Sequence, residues 1–147
     1  MRWFKMILKP YADADYYSVS SYFPKKEIDK YMNRGRWGIL SLFGIYKSHF
    51  YLLQDISDVI GCGVIRRKWS RDTKRFGYWL YAIWIHPDFR GKGYGIVLME
   101  QLFEELQMRN VKKVFLTVDN ANTIAQNLYK KLGFVEIKQN KQSVLSH

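Results

Sequence analysis

The sequence predicts a mixed α/β fold, a sheet with helices on both faces, in a single domain spanning residues 1–147. The order of its periodic segments predicts this class: strands and helices come first, then a meander, then strand, helix, strand, helix and strand. The length suits one domain, and 48% hydrophobic with 17% aromatic residues is the composition of a folded globule. No linker, repeat or low-complexity stretch divides it.

The first half of the chain reads as one strand, two helices and a meander. We expect a strand at residues 3–8, helices at 13–22 and 25–33, and strands at 38–46, 50–54, 59–66 and 78–85. Pro24 separates the two helices, and Gly35 ends the second. The polar stretches 55–58 and 68–77 have the composition of hairpin connections.

The second half has clearer periodicity. Apolar residues at intervals of three and four predict a helix that ends near Asn110: Ile96, Met99, Leu102, Phe103 and Leu106. A strand follows at 114–118, and a second helix at 124–132 has Asn122 at its N-cap and Gly133 at its C-cap. A strand at 134–138 closes the pattern, and the tail 139–147 is short and polar.

A glycine-rich segment before the first of these helices has the context of a phosphate-binding turn. The run Arg90-Gly91-Lys92-Gly93-Tyr94-Gly95 follows an apolar run that ends in His86-Pro87. Glycines let the backbone turn sharply, and the first amides of a helix have no partners within it. With the helix dipole and two cations beside them, these amides favour a diphosphate. The dinucleotide fingerprint is excluded because Ile96 and Leu98 stand where its third glycine would, and no GxxxxGK[ST] element occurs.

Two motifs together resemble those of the Gcn5-related N-acetyltransferases (GNAT), which use acyl-CoA. The first is R-x-x-G-x-G after a strand, from Arg90 to Gly95. The second is N-x-x-A-x-x-L-Y-x-K-x-G-F, from Asn122 to Phe134. The resemblance covers about residues 78–138. It implies a central twisted, mostly antiparallel sheet of six to seven strands with about four helices. It also implies two closing strands after Phe134; since the tail is short, we expect the last strand to be stunted or supplied by a partner.

The resemblance also implies a set of site residues for acetyl-CoA. The glycine segment, with its intervening backbone, would bind the CoA diphosphate: Arg90, Gly91, Lys92, Gly93, Tyr94 and Gly95. The backbone of the preceding strand would pair with pantetheine: Ile83, Trp84 and Ile85. Asn122 would lie near the cofactor, and Tyr129 close to the thioester sulfur. From the residues alone, Asn122 could be only a helix cap and Tyr129 only a core residue.

The reaction implied is direct attack of a primary amine on the acetyl carbonyl, with CoA thiolate leaving. Tyr129 would be the catalytic residue that protonates the thiolate. Many members of the family have a glutamate on the strand before the glycine segment, but residues 78–85 contain no carboxylate. Asp88, His86, Tyr81 and a water chain are the candidates for the general base, which stays unassigned.

Charge is the sequence's one clue to the acceptor. The formal net charge is +11, and six cations crowd into residues 66–75: Arg66, Arg67, Lys68, Arg71, Lys74 and Arg75. Such a field favours an anionic acceptor, either a nucleotide-linked amino sugar or an RNA-borne amine, although a solvated hairpin explains it equally well. Two alternatives stay open: a nucleic-acid-binding module that uses hairpin 66–75, and a CoA-binding protein without transfer activity.

Other sequence features limit the remaining classes. No apolar run reaches membrane-spanning length, so we expect no membrane partner. A single cysteine, Cys62, fits a reducing cytoplasm, and the N-terminal apolar stretch is too short for a secretory signal. Three scattered histidines, His49, His86 and His147, give no metal-ligand pattern. Either a monomer or a homodimer is compatible with the sequence.

Overall fold

The computed structural model describes residues 6–56, 58–71, 74–139 and 142–146. Twelve helices and strands follow one another in this part of the chain: β1 (Ile7–Pro10), α1 (Tyr16–Val19), α2 (Lys25–Tyr31), α3 (Arg36–Leu42), β2 (Tyr46–Gln54), β3 (Val59–Ser70), β4 (Arg75–Ile85), α4 (Tyr94–Met108), β5 (Val114–Asp119), α5 (Thr123–Lys131), β6 (Val135–Gln139) and β7 (Gln142–Ser146). Short 3₁₀ turns precede α1 and follow β4.

One seven-stranded sheet organises the domain, in the order β1-β2-β3-β4-β5-β7-β6. Neighbouring strands are antiparallel except β4 and β5, which run parallel. This architecture confirms the predicted mixed, mostly antiparallel class and its strand count. The described residues form five α-helices rather than four, and α1 is a single turn.

The two faces of the sheet carry separate apolar cores. On one face α4 and α5 cover side chains such as Leu53, Ile65 and Leu80. On the other face α1 and α2 cover Leu52 and Val64, the sequence neighbours of Leu53 and Ile65. Alternation along each strand therefore divides the apolar residues between the two layers. We call these the α4/α5 face and the α1/α2 face.

A β-bulge in β4 opens the sheet at its centre. Val64 pairs with Tyr81 and Cys62 with Trp84, so two residues of β4 lie opposite Gly63 alone. Ala82, in the bulge, has a φ of 53°, a left-handed conformation that is uncommon for alanine. Bulges bend a strand, and the pairing of β4 with β5 ends at Leu80 although both strands continue. The two strands therefore part and leave a cleft between them.

Several predicted boundaries are wrong. Residues 38–46 do not form a strand: Arg36–Leu42 is α3, and Gly35 is its N-cap with φ 58° rather than the end of α2. Short apolar runs of this kind fit a helix as well as a strand, and here the indole of Trp37 packs edge-on against Tyr46. The predicted helix 13–22 is a 3₁₀ turn followed by one α-helical turn.

The hairpin and the tail also differ from the prediction. The predicted connection 68–77 is mostly strand, since β3 extends to Ser70 and β4 begins at Arg75. The tail supplies its own closing strand: β7 pairs with both β5 and β6. The first strand is Ile7–Pro10, and the part of the predicted strand before residue 6 lies outside the described residues.

Candidate active site

The glycine loop leaves open space where a ligand backbone could approach. Gly91 and Gly93 have φ values of 74° and 84°, in the left-handed region that glycine adopts without strain. A Cβ built on either residue would meet no atom within 4 Å. Gly93 is the N-cap of α4, so the loop directs the unpaired amides of a 15-residue helix toward that space. This arrangement suits a diphosphate.

Arg90 and Lys92 add positive charge beside the loop. The Arg90 Nε donates to the carbonyl of Ile85 at 2.8 Å, which ties the loop to the end of β4. Its guanidinium lies 5.8 Å from the ring of Trp84. The Lys92 Nζ donates to the carbonyl of Asp88 at 3.4 Å. Both side chains are exposed, so their charges are available to an anion at the loop.

Gly95 and Tyr94 join the loop to its surroundings. A Cβ on Gly95 would lie 3.4 Å from the Leu128 side chain of α5, so the absence of a side chain lets α4 and α5 approach closely. The Tyr94 ring packs edge-on against Phe89, 5.8 Å between centroids. The two sequence motifs are thus in direct contact in the fold.

The cleft between β4 and β5 is a cavity of about 250 Å³ at the end of the sheet where the glycine loop lies. Residues of three elements line it: Leu80, Tyr81, Ala82 and Ile83 of β4, Leu116, Thr117, Val118 and Asp119 of β5, and Ala125 and Tyr129 of α5, with the α5 cap Asn122. Three sequence-predicted site residues, Ile83, Asn122 and Tyr129, therefore meet in one cavity.

Trp84 and Ile85 are not among the residues that line this cleft. The indole of Trp84 is on the α1/α2 face, stacked 3.6 Å from the ring of Tyr22. Ile85 packs into the core of the α4/α5 face. Sequence reasoning did not identify Tyr22 for this position, since only the folded chain brings its loop onto β4.

Tyr129 is buried, with 8% of its surface exposed, and its ring packs edge-on against Phe134 at 5.7 Å. Burial raises the pKa of its phenol, so the hydroxyl is protonated at neutral pH and can act as a donor. Asn122 has the capping role that its position allowed: its Oδ1 accepts a hydrogen bond from the Ala125 amide at 3.1 Å. The same residue lines the cleft, so the two interpretations of Asn122 are compatible.

The proposed bases differ in their distance from the cleft. Tyr81 lines it, and its hydroxyl accepts a hydrogen bond from the Lys68 Nζ at 3.0 Å. His86 and Asp88 lie outside the lining, where the His86 Nδ1 accepts from the Asp88 amide at 3.1 Å. Asp119 at the end of β5 also lines the cleft, which sequence reasoning missed; its carboxylate accepts a hydrogen bond from the Ala121 amide at 2.8 Å. Its position as the last residue of a strand that precedes a helix cap was the available signal.

The cations of hairpin 66–75 do not form one patch. Arg66 is only 4% exposed, on the α1/α2 face; its Nε donates to Ser48 at 2.7 Å, and four aromatic rings surround its guanidinium at 5.2–5.7 Å: Tyr31, Trp37, Tyr46 and Tyr81. Burial lowers its pKa. Arg67 is on the opposite face, 3.7 Å from the Phe76 ring. Strand alternation separates residues that the sequence placed together.

The described residues contain neither a cluster of metal ligands nor a membrane-spanning helix. Nowhere in the described ranges do three or more His, Cys, Asp or Glu side chains come together as a metal ion would require. The helices resolved there are each too short or too polar to cross a lipid bilayer.

The mixed sheet, the glycine loop at the N-terminus of α4 and the cleft beside the β4 bulge give the chain the architecture that its two sequence motifs imply. The sequence matches the model of the Acetyltransferase (GNAT) family over residues 13–134. The chain therefore belongs to the GNAT family, which confirms the resemblance seen in its two motifs.

Individual relatives agree with this assignment. The ribosomal protein bS18 alanine N-acetyltransferase of Salmonella typhimurium is 42% identical over 57 residues, which are 39% of this chain and 38% of that protein. Two such relatives are matched over only about two fifths of their length. A GNAT acetyltransferase from Elizabethkingia anophelis with acetyl-CoA bound has a TM-score of 0.68 at 19% identity, covering 96% of both chains. The ribosomal-protein-alanine N-acetyltransferase of Brucella melitensis has a TM-score of 0.68 at 17% identity, covering 96% of this chain and 97% of that one. At these identities the two structures establish the shared fold.

Proposed function

We propose that the protein transfers the acetyl group of acetyl-CoA to a primary amine. The observation that carries the proposal is the position of the glycine loop and the cleft along one strand, since the cleft opens beside β4 and the chain runs from the end of β4 through a 3₁₀ turn into the loop. An anion-binding loop next to a narrow cleft with more polar than apolar exposed surface suits a ligand with a diphosphate and a thin, polar, acyl-bearing arm. Family membership supports the same ligand.

The loop residues would hold the diphosphate end. Amides at the start of α4 would donate to the phosphate oxygens, and Arg90 and Lys92 would neutralise their charge. Ile83 and Asn122 would line the path of the arm, and the neighbouring backbone at Trp84 and Ile85 would continue it toward the loop. The donor supplies an activated thioester, so no covalent enzyme intermediate is required.

Tyr129 would donate its proton to the departing thiolate. Burial raises the pKa of this phenol, which keeps the proton in place until negative charge develops nearby. A thiol pKa near 8.5 makes CoA a fair leaving group, so modest assistance is enough.

The acceptor amine must be neutral to attack. A lysine-like amine with a pKa near 10.4 is neutral in about one molecule in 2500 at pH 7, a penalty of roughly 4.6 kcal/mol. An α-amine with a pKa near 7.7 is neutral in about one molecule in six. This arithmetic favours an α-amine, and two relatives are named as alanine N-acetyltransferases. Tyr81, Asp119 or a water molecule in the cleft would accept the proton that the amine loses when it is acetylated.

The acceptor would carry negative charge elsewhere. The net charge of +11 attracts anions and repels polyamines, so a nucleotide-linked or RNA-borne amine fits better than a polycation. The cytoplasm suits such acceptors, and the buried, unpaired Cys62 suits a reducing compartment.

Two measurements test the proposal. Calorimetric titration with acetyl-CoA should give micromolar binding, and a folded protein that does not bind would overturn it. Acetyl transfer is then followed by release of the CoA thiol with two peptides, one with a free N-terminal alanine and no lysine, the other N-terminally blocked with one lysine. Faster acetylation of the first peptide, localised by mass spectrometry, is expected. Preference for the lysine peptide would contradict the α-amine assignment.

A further inference from the structure

A wide groove, separate from the cleft, lies at the other end of the central strands. Its volume is about 940 Å³, and it follows the edge of the sheet where β4 and β5 begin. From Gly77 at the groove to Ile85 at the glycine loop, eight residues of strand span roughly 25 Å. The groove is therefore remote from the site proposed for the CoA diphosphate.

The groove combines positive charge with aromatic rings. Four basic side chains come from three separate segments: Lys68, Arg75, Lys112 and Lys113. Arg109 also lines the groove, but its guanidinium donates to the Tyr51 hydroxyl at 2.8 Å. Four aromatic side chains share its wall: Phe76, Tyr78, Trp79 and Phe115. Among the described residues that line it there is no Asp or Glu. Only Lys68 and Arg75 belong to the sequence cluster of cations, so folding assembles this set from β3, β4 and the loop after α4.

The rings in the groove are held in place before any ligand arrives. Trp79 is stacked on Phe115, with centroids 5.1 Å apart and 29° between planes. The Lys68 Nζ lies 4.0 Å from the centroid of the Trp79 ring, and the Lys113 Nζ lies 5.4 Å from that of Phe115. The Lys68 ammonium lies over the Trp79 ring, so a base that stacks on this half-buried ring takes the place of the ammonium, which is then close enough to pair with a phosphate.

A row of rings connects the groove with the cleft. Tyr81 lies 6.4 Å from Trp79 at an interplanar angle of 23°, and Tyr81 also lines the cleft between β4 and β5. Lys68 contacts both rings, since its Nζ donates to the Tyr81 hydroxyl at 3.0 Å. A ligand in the groove therefore lies along the α1/α2 face beside the cleft.

We propose that this groove binds phosphate-linked nucleobases, as a single-stranded RNA segment or a nucleotide, by stacking on Trp79 and Phe115. Lys112 and Lys113 are exposed, and within the described part of the chain neither forms a salt bridge, so both can contact phosphates. That the bound nucleotide carries the acceptor amine rests on the proposed function; the binding itself does not.

Fluorescence anisotropy of a labelled 12-residue oligouridine tests the groove without acetyl-CoA. Three to five phosphate contacts predict a slope of log affinity against log salt of about −2 to −3.5. Lys112→Glu with Lys113→Glu should reduce the slope by about 1.4. Lys25→Glu with Lys26→Glu, on exposed positions of α2, changes the net charge equally and should leave the slope unchanged. Equal effects of the two double variants would overturn the proposal, because they would show that RNA binding depends only on the net charge of the protein.

A second pair of variants tests the stacking of bases in the groove. Trp79→Ala should weaken oligouridine binding about 5- to 150-fold, whereas Trp69→Ala, which removes an exposed tryptophan outside the groove lining, should not change it. Should Trp79→Ala fail to fold, the double lysine variant in an exposed loop still decides the question. Displacement of oligouridine by UDP would identify a nucleotide as the ligand of the groove, whereas no displacement by UDP would identify a single-stranded RNA segment. Equal competition by an oligoglutamate of matched charge would overturn the proposal.

Acetyl-CoA provides the last control. Saturating acetyl-CoA should not displace oligouridine, since the groove and the cleft share no lining residue and the glycine loop lies at the other end of β4; displacement would overturn the separate groove. Loss of RNA binding alone refutes the groove, whereas loss of acetyl-CoA binding alone refutes the proposed function.

Discussion

Negative charge at the N-cap of α4 should abolish most acetyl-CoA affinity. Gly93 offers a clean comparison because its φ of 84° is one that Asn and Asp tolerate better than other side chains, and a Cβ there meets nothing within 4 Å. Gly93→Asn and Gly93→Asp therefore share the same shape and backbone strain, and differ only in charge.

The size of the expected loss of affinity follows from Coulomb's law. A carboxylate roughly 5 Å from a bound phosphate raises the free energy by about 0.8 kcal/mol per phosphate charge at a dielectric of 80, and about 3.3 at a dielectric of 20. Per charge, the Asp variant should thus bind acetyl-CoA about 4- to 250-fold more weakly than the Asn variant. Because salt screens this repulsion, the difference in acetyl-CoA affinity between the two variants should be smaller at high salt.

Calorimetry of both variants at low and high salt measures this difference. Thermal unfolding should give similar stabilities for the two, which verifies that shape and strain are matched. Equal affinities of the Asp and Asn variants would refute the conclusion that an anion binds at the loop.

Three further expectations concern chemistry, pH and packing. Tyr129→Phe should lower kcat about 10²- to 10⁴-fold with little change in acetyl-CoA affinity, and unchanged kcat would exclude the phenol as proton donor. Burial beside Arg109 lowers the pKa of His49 from 6.5 to about 4, so folding stability should fall as pH drops through this window, by at most about 1.4 kcal/mol per unit. His49→Gln should flatten that slope in denaturant titrations at each pH. Gly61→Ala, whose Cβ would lie 2.4 Å from the Trp84 carbonyl, should destabilise by about 1–3 kcal/mol, whereas Gly77→Ala, with its nearest contact at 3.6 Å, should not.

The second half of the fold could be predicted because local signals agreed there. The helix period from Ile96 to Leu106 matches α4, and the Asn122 cap matches the start of α5. Glycines in the loop between β4 and α4 fixed the place of the anion site. Each of these features depends on neighbours within a few residues, which is the range that sequence patterns encode.

The remainder depended on contacts between distant segments. The apolar run around Leu40 fits strand and helix alike, and packing of Trp37 on Tyr46 decides for the helix. The pairing of β7 with β5 joins residues more than twenty positions apart, so a short polar tail gave no sign of it. The Arg66 aromatic cage and the groove likewise draw on segments that only the folded chain brings together.

The bulge in β4 shows that the opening in the sheet depends on the number of residues in β4 rather than on their types. Without Ala82, Leu80 and Ile83 would still point to the α4/α5 face, and Tyr81 and Trp84 to the α1/α2 face. The extra residue leaves the layering of side chains untouched and changes only the direction in which β4 continues. Substitutions along the cleft can therefore change which ligand enters it while the gap between the strands persists. Deletion of one residue at the bulge, in contrast, would let β4 and β5 continue their pairing.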